Sequence, residues 1–126
     1  MKLLADIKKE EGLSVLLITH DLALVSQNTD DVAVMYSGRI VETAPNEEFF
    51  SNPKHPYTKA LLNSLPSNSN NELKVISGQP PLLSEIISGC RFNPRCDYVT
   101  ENCKTCIPEL RCINDSHKSA CHLNSI

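Results

Sequence analysis

The chain has 126 residues, of which 40% are apolar, and a formal net charge of -3. This length supports one ordinary domain, and the weak negative charge gives no electrostatic footprint for nucleic acid. The longest apolar run, Val15 to Ile18, is far too short to span a bilayer, and Asp6, Lys8, Lys9, Glu10 and Glu11 interrupt any signal-peptide core. The chain is therefore expected in the cytoplasm, with membrane contact made only through partners.

In chain order, residues 1–11 read as a helix, because Leu3, Leu4 and Ile7 fall on one face and the charges opposite. Gly12 ends it, glycine taking the left-handed conformation cheaply. Ser14 to Thr19 is continuously apolar rather than alternating, which predicts a strand buried on both faces. His20 stands at its carboxyl end, and Asp21 caps a short helix from Leu22 to about Asn28. A strand Val32–Tyr36, the turn Ser37-Gly38 and a returning strand Arg39–Thr43 form a hairpin. Ala44-Pro45-Asn46 breaks it, Glu47–Phe50 makes one helical turn, and Pro56 opens a helix running through Leu65.

Pro66 to Asn71 is polar and without periodicity, so residues 66–71 read as a linker. Residues 72–126 then carry all six cysteines, between positions 90 and 121. This segment lacks helical periodicity and has few aromatics, so it needs a staple to hold a fold. Without an export signal the thiols are expected to stay reduced, which leaves two common readings, metal binding or free thiols with no function. Sulfur donors suit an iron–sulfur cluster or tetrahedral zinc. Only Cys103-Lys104-Thr105-Cys106 offers a C-x2-C step, whereas a zinc ribbon has two.

Ligands of open α/β sheets bind beyond the carboxyl ends of the strands, and the helix start after His20 favours an anion. By itself a histidine at such a point more often ends a strand and nothing more. Its surroundings point to the ligand role beside that reading. Gly12 to Leu22, with Thr19-His20-Asp21 at its centre, resembles the switch-histidine segment of ABC ATPases, and Asp31 to Glu42 resembles the segment that follows it. His55-Pro56-Tyr57-Thr58-Lys59-Ala60-Leu61-Leu62 is similar to the peptide-importer branch. Ile76 to Leu82, Gly89 to Cys96 and Ala120-Cys121-His122 resemble the C-terminal extension of those ATPases.

The resemblance implies an α/β fold: residues 1–65 as the C-terminal part of an incomplete P-loop nucleotide-binding domain, and residues 72–126 as a small, loop-rich cysteine extension. It implies that His20 contacts the ATP γ-phosphate in a complete site. It also implies a [4Fe–4S] cluster, with zinc as the alternative, on Cys90, Cys96, Cys103 and Cys121. Cys106 is a possible substitute for Cys103, and the role expected of the metal is structural rather than redox. No G-x-x-x-x-G-K-[ST] loop occurs in the chain, and the acidic magnesium-binding strand, catalytic glutamate and signature motif of the family would lie before Met1. No ATPase activity is therefore expected of this chain alone.

Implied partners are the upstream ATPase portion, a second ATPase subunit and membrane-spanning permease subunits. They would place the protein at the inner face of the membrane. The competing reading is a stand-alone metal-binding regulatory module that docks on an intact transporter. His55 and Tyr57 read as turn and packing residues, and His122 as part of the fold.

Overall fold

The computed structural model describes residues 2–65, 76–82 and 84–124. The expected linker 66–71 lies outside them. The chain forms two compact units, Met1–Asp30 and Asp31–Ile126, so the division falls at the start of the hairpin.

In the first unit, α1 spans Lys2–Glu11 and α2 spans Leu22–Asn28. Gly12 has φ +63°, and the Leu13 N–H donates to the Lys8 carbonyl at 3.1 Å, a left-handed helix end that glycine permits without strain. Asp21 caps α2 as its sequence position predicts: its carboxylate accepts from the Ala23 and Leu24 N–H groups at 3.0 and 3.1 Å. The strand expected over 14–19 does not form. Residues 13–19 are neither helix nor strand, and Leu16 and Ile18 are 87% and 89% exposed. The physical reason is that a strand meant for burial on both faces needs neighbours to bond its backbone and cover its side chains, and none of the described strands pairs with it.

The second unit is a mixed α/β fold around a four-stranded antiparallel sheet in the order β1-β2-β4-β3. β1 (Asp31–Tyr36) and β2 (Arg39–Pro45) form the expected hairpin. Ser37 and Gly38 both have positive φ, +46° and +78°, the turn geometry whose twist matches that of the flanking strands. β2 runs on through Ala44 and Pro45, where the sequence suggested a break. α3 (Asn46–Ser51) and α4 (Pro56–Asn63) follow, with Ser64 ending α4 just before the expected Leu65.

The rest of this unit is short pieces: a 3-10 turn at Asn93–Arg95, α5 (Glu101–Thr105), β3 (Arg111–Cys112), β4 (Lys118–Ser119) and a second 3-10 turn at His122–Asn124. β4 pairs with β2 through Glu42–Ser119 and Thr43–Lys118, so the cysteine-rich segment completes the hairpin's own sheet. The register of β1 and β2 slips between Val34 and Met35, which face Glu42 and Ile40 and leave Val41 as the extra residue of a bulge. The Val41 carbonyl instead accepts the Ala120 N–H at 2.8 Å.

The core is small and aromatic. Tyr36, Tyr57 and Phe92 meet with ring centroids 4.6–5.3 Å apart, while Phe49 is fully buried under the sheet with Val34, Val41 and Ala44 among the other buried residues. No helix among the described residues is long and apolar enough to cross a membrane.

Candidate functional site

Four of the six cysteines, Cys90, Cys96, Cys103 and Cys121, line one cavity of about 10 Å³ in the second unit. They arrive from three separate stretches of chain. Cys90 and Cys96 flank the Asn93–Arg95 turn, Cys103 is buried within α5, and Cys121 follows β4. His55, Pro56, Phe92 and Leu123 supply much of the remaining wall.

Local backbone geometry brings these stretches together. Gly89 has φ +71°, and a Cβ there would stand 2.3 Å from the Cys103 carbonyl oxygen, so only glycine admits so close an approach. The next N–H, that of Cys90, donates to the same carbonyl at 2.8 Å. Asn93 donates its side-chain amide to the Ser88 carbonyl at 2.8 Å and to Cys103 at 3.3 Å. Arg95 anchors the turn from outside: its guanidinium donates to the Ser77 and Ile76 carbonyls and to the Tyr36 hydroxyl at 2.9, 3.3 and 3.3 Å.

Burial pushes the Cys90, Cys96 and Cys121 thiols up from their ordinary pKa, and the neighbouring cysteines push in the same direction. Backbone N–H groups two residues on, at Phe92, Tyr98 and Leu123, oppose this by favouring the sulfur anion. The Thr100 hydroxyl lies 3.2 Å from the Cys103 sulfur. Such a set holds protonated thiols when bare, yet carries donors ready for thiolates once a cation offsets the cost of their charge. Among the described residues, no three His, Cys, Asp or Glu side chains are set to hold a metal ion as they stand. A cavity of about 10 Å³ has room for about one water, so a larger group enters only with outward movement of the sulfurs.

Cys106 and Cys112 are exposed and are not among the residues lining the cavity. The Cys106 carbonyl takes a hydrogen bond from His122 Nε2 at 2.9 Å, tying the end of α5 to the segment after Cys121. His20, the other residue singled out from sequence, is exposed in the first unit, directly before the Asp21 cap.

A polar cluster that sequence reasoning missed sits beside this cavity. Glu42, on β2, is completely buried. Its carboxylate accepts from the Lys54 N–H at 2.7 Å, the His55 N–H at 2.9 Å and His117 Nε2 at 2.7 Å. His117, also fully buried, presents Nδ1 to the Glu48 carboxylate at 3.0 Å. Each ring nitrogen thus faces a carboxylate. The Asn114 amide donating to Glu48 holds its carboxyl below the usual range, with His117 adding to the effect. His117 lies 75 residues from Glu42, and no local pattern links the two.

His55 is more than a turn residue. Its Nδ1 accepts the Tyr57 N–H at 3.0 Å and so caps α4, while Pro56 occupies the first helical position. Burial pulls its pKa down to about 4, opposed in part by the Glu42 carboxylate and the Ala120 backbone.

With this geometry in view, the family of the chain is clear. The family model for the C-terminal region of oligopeptide/dipeptide transporters matches residues 41–103, and the chain belongs to that family. Among individual relatives, the dipeptide transport ATP-binding protein DppD of Haemophilus influenzae is 44% identical over 124 residues, covering 97% of this chain and 37% of that protein. Two proteins named for peptide import and ATP binding, one from Brucella ovis and one from Brucella abortus, are each 39% identical over 129 residues, covering 96% of this chain and 38% of theirs. The chain thus spans less than two fifths of the length of these curated relatives.

Proposed function

We propose that the chain is the distal part of the ATP-binding subunit of an ABC importer for di- or oligopeptides, and that its cysteine-rich segment holds a [4Fe–4S] cluster. The names of the relatives support the first part. For the second, the supporting observation is that four cysteines from three stretches of chain line one cavity. In this reading Cys90, Cys96, Cys103 and Cys121 each give one thiolate, and the Phe92, Tyr98 and Leu123 N–H groups stabilise three of them. When bound, the cluster supplies cross-linking rather than reaction chemistry: its binding free energy becomes folding free energy for a segment with little core of its own. Thiols whose pKa is raised by burial must shed protons to bind, so loading releases protons and weakens as pH falls.

In the complete subunit His20 would reach the ATP γ-phosphate, with magnesium and the phosphate cradle supplied by upstream segments, and ATP hydrolysis would energise peptide uptake through the permease subunits. That assembly places the subunit peripherally at the inner face of the membrane.

Anaerobic purification from iron-replete cells tests the metal assignment. The expected product is brown, with broad absorption in the blue and about four iron and four sulfide per chain, the content of a cubane held by four cysteines. A colourless protein with one zinc per chain would replace the cluster by zinc, and a metal-free protein would remove the centre altogether. Steady magnesium-dependent ATP turnover by this chain alone would overturn its assignment as an incomplete ATPase segment.

A further inference from the structure

The three cysteine-bearing stretches must be held against one another for their sulfurs to share one cavity. α5 is the fixed post among them. The Cys103 carbonyl accepts the Cys90 N–H at 2.8 Å and the Asn93 side-chain amide at 3.3 Å. These bonds tie the Cys90–Cys96 stretch to α5 directly. The Cys121 stretch is tied to α5 by a side chain. His122 follows Cys121 and lines the same cavity. Its Nε2 meets the Cys106 carbonyl at 2.9 Å, and its Nδ1 meets the Asn102 side-chain amide nitrogen at 3.4 Å. A carbonyl only accepts and an amide nitrogen only donates. Both partners therefore fit one tautomer, with the proton on Nε2 and Nδ1 bare. Asn102 and Cys106 are themselves joined, the Cys106 N–H donating to the Asn102 carbonyl at 2.9 Å. The ring thus closes on the turn of α5 that carries Cys103. The other histidine of the cavity wall, His55, bonds instead to Glu42 and Tyr57, and neither lies on a cysteine-bearing stretch.

We infer that His122 is the positioning residue for the Cys121 sulfur: clasped to α5 at Asn102 and Cys106, its ring fixes the Cys121 stretch relative to Cys103. Cys121 is then held from both sides. Before it, the Ala120 N–H donates to the Val41 carbonyl at 2.8 Å, at the end of a strand of only two residues. After it stands the His122 clasp. The same clasp takes up the Cys106 carbonyl, so both polar main-chain groups of Cys106 are engaged while its thiol is exposed. The inference rests on the proposed metal centre for its purpose, but not for its test.

Three substitutions separate the parts of the clasp. His122→Phe keeps a ring in the wall and removes both bonds. In His122→Gln the amide nitrogen can replace Nε2 at the Cys106 carbonyl. Asn102→Ala removes the bond to Nδ1 from the α5 side and leaves the Cys121 stretch untouched. The first measurement uses the full, metal-free chain and follows alkylation of each cysteine by iodoacetamide with mass spectrometry. Two hydrogen bonds at the low end of their usual net contribution, as suits partners open to water, correspond to about a fivefold rise at Cys121 in H122F. H122Q and N102A, each losing one bond, should show a rise of about twofold. Cys90 and Cys96, held by the turn between them, should keep the parent rate in all three.

In protein reconstituted with iron and sulfide, H122F should release iron to a chelator about tenfold faster than the parent, the scale seen when groups supporting metal ligands are removed. H122Q should stay within about threefold of the parent. An unchanged Cys121 rate in H122F would overturn the inference. So would equal acceleration of Cys90, Cys96, Cys103 and Cys121, which marks general loosening. If H122F does not fold, N102A decides, and a parental Cys121 rate there overturns the inference. If the parent itself takes up no iron and sulfide, the metal assignment fails, and the alkylation rates still decide whether His122 positions Cys121.

Discussion

The two units treat apolar residues in opposite ways. In Met1–Asp30 the most apolar stretch of the chain lies open, with Leu16 and Ile18 87% and 89% exposed. In Asp31–Ile126 the apolar residues are sparser, yet Phe49 and Phe92 are 0% and 2% exposed. Hydrophobicity alone therefore does not make a core. The second unit succeeds because it owns partners for what it buries: sheet neighbours for its strands, three rings for each other's faces, and a carboxylate for each buried donor around Glu42. Among the described residues the first unit has no strand to set beside its apolar stretch, and a backbone there cannot leave water without hydrogen-bonding partners.

The largest expected effect lies at Glu42. Glu42→Ala removes the one acceptor shared by the Lys54 N–H, the His55 N–H and His117 Nε2. It strands buried donors rather than deleting a balanced pair. Breaking such a buried pair from one side costs about 3–5 kcal/mol, and urea unfolding followed by tyrosine fluorescence should show it as a lower midpoint. A loss below about 1 kcal/mol, the net worth of one ordinary hydrogen bond, would mean that the second unit is not held from within by this cluster, and the contrast between the units would fail.

How much of this was legible in the sequence follows from the range of each interaction. Asp21 ahead of α2, Ser37-Gly38 between alternating strands and Pro56 at the start of α4 are local signals, and each element formed where they stand. The Glu42–His117 pair has no such signal, because its members are 75 residues apart and each looks like an ordinary surface residue. β4 is only two residues long, too short for any periodicity to announce it. The segment 14–19 shows the opposite failure. Its composition correctly describes what would suit a buried strand, but pattern cannot supply the neighbours such a strand requires. The four cavity-lining cysteines were picked out by resemblance; their spacing alone did not distinguish Cys103 from Cys106.

The second prediction concerns acid. Burial lowers the His55 pKa from 6.5 to about 4, so between those values the unfolded chain binds a proton that the folded chain does not. Stability of the second unit should therefore be full above about pH 6.5 and fall as pH drops toward 4. The loss by pH 4 is on the order of 3 kcal/mol. Glu48, whose carboxyl is held low, adds a loss of the same sign once pH falls below its ordinary range. Urea midpoints measured from pH 7.5 to 4 check this, and H55N should flatten the curve over that window. A curve equally steep in H55N would assign the acid sensitivity to other groups.

The smallest effect in this chain is the most informative about the first unit. Ile18 is 89% exposed, so Ile18→Ser removes nothing that is buried here. Its effect on the unfolding of the 126-residue chain should stay within about 0.5 kcal/mol, as for other surface substitutions. If the segment 14–19 is a strand meant to lie between neighbours in the complete ATP-binding subunit, the same substitution made there should cost about 2–5 kcal/mol, the loss of a fully buried aliphatic side chain. Two unfolding curves, one for each length of protein, decide it. Equal and negligible costs in both would mean that the segment is a surface loop in either setting, and that its apolar character has no structural purpose in sheet formation. A large cost only in the longer protein would show that the two units differ in where their partners reside: inside the chain for the second, outside it for the first.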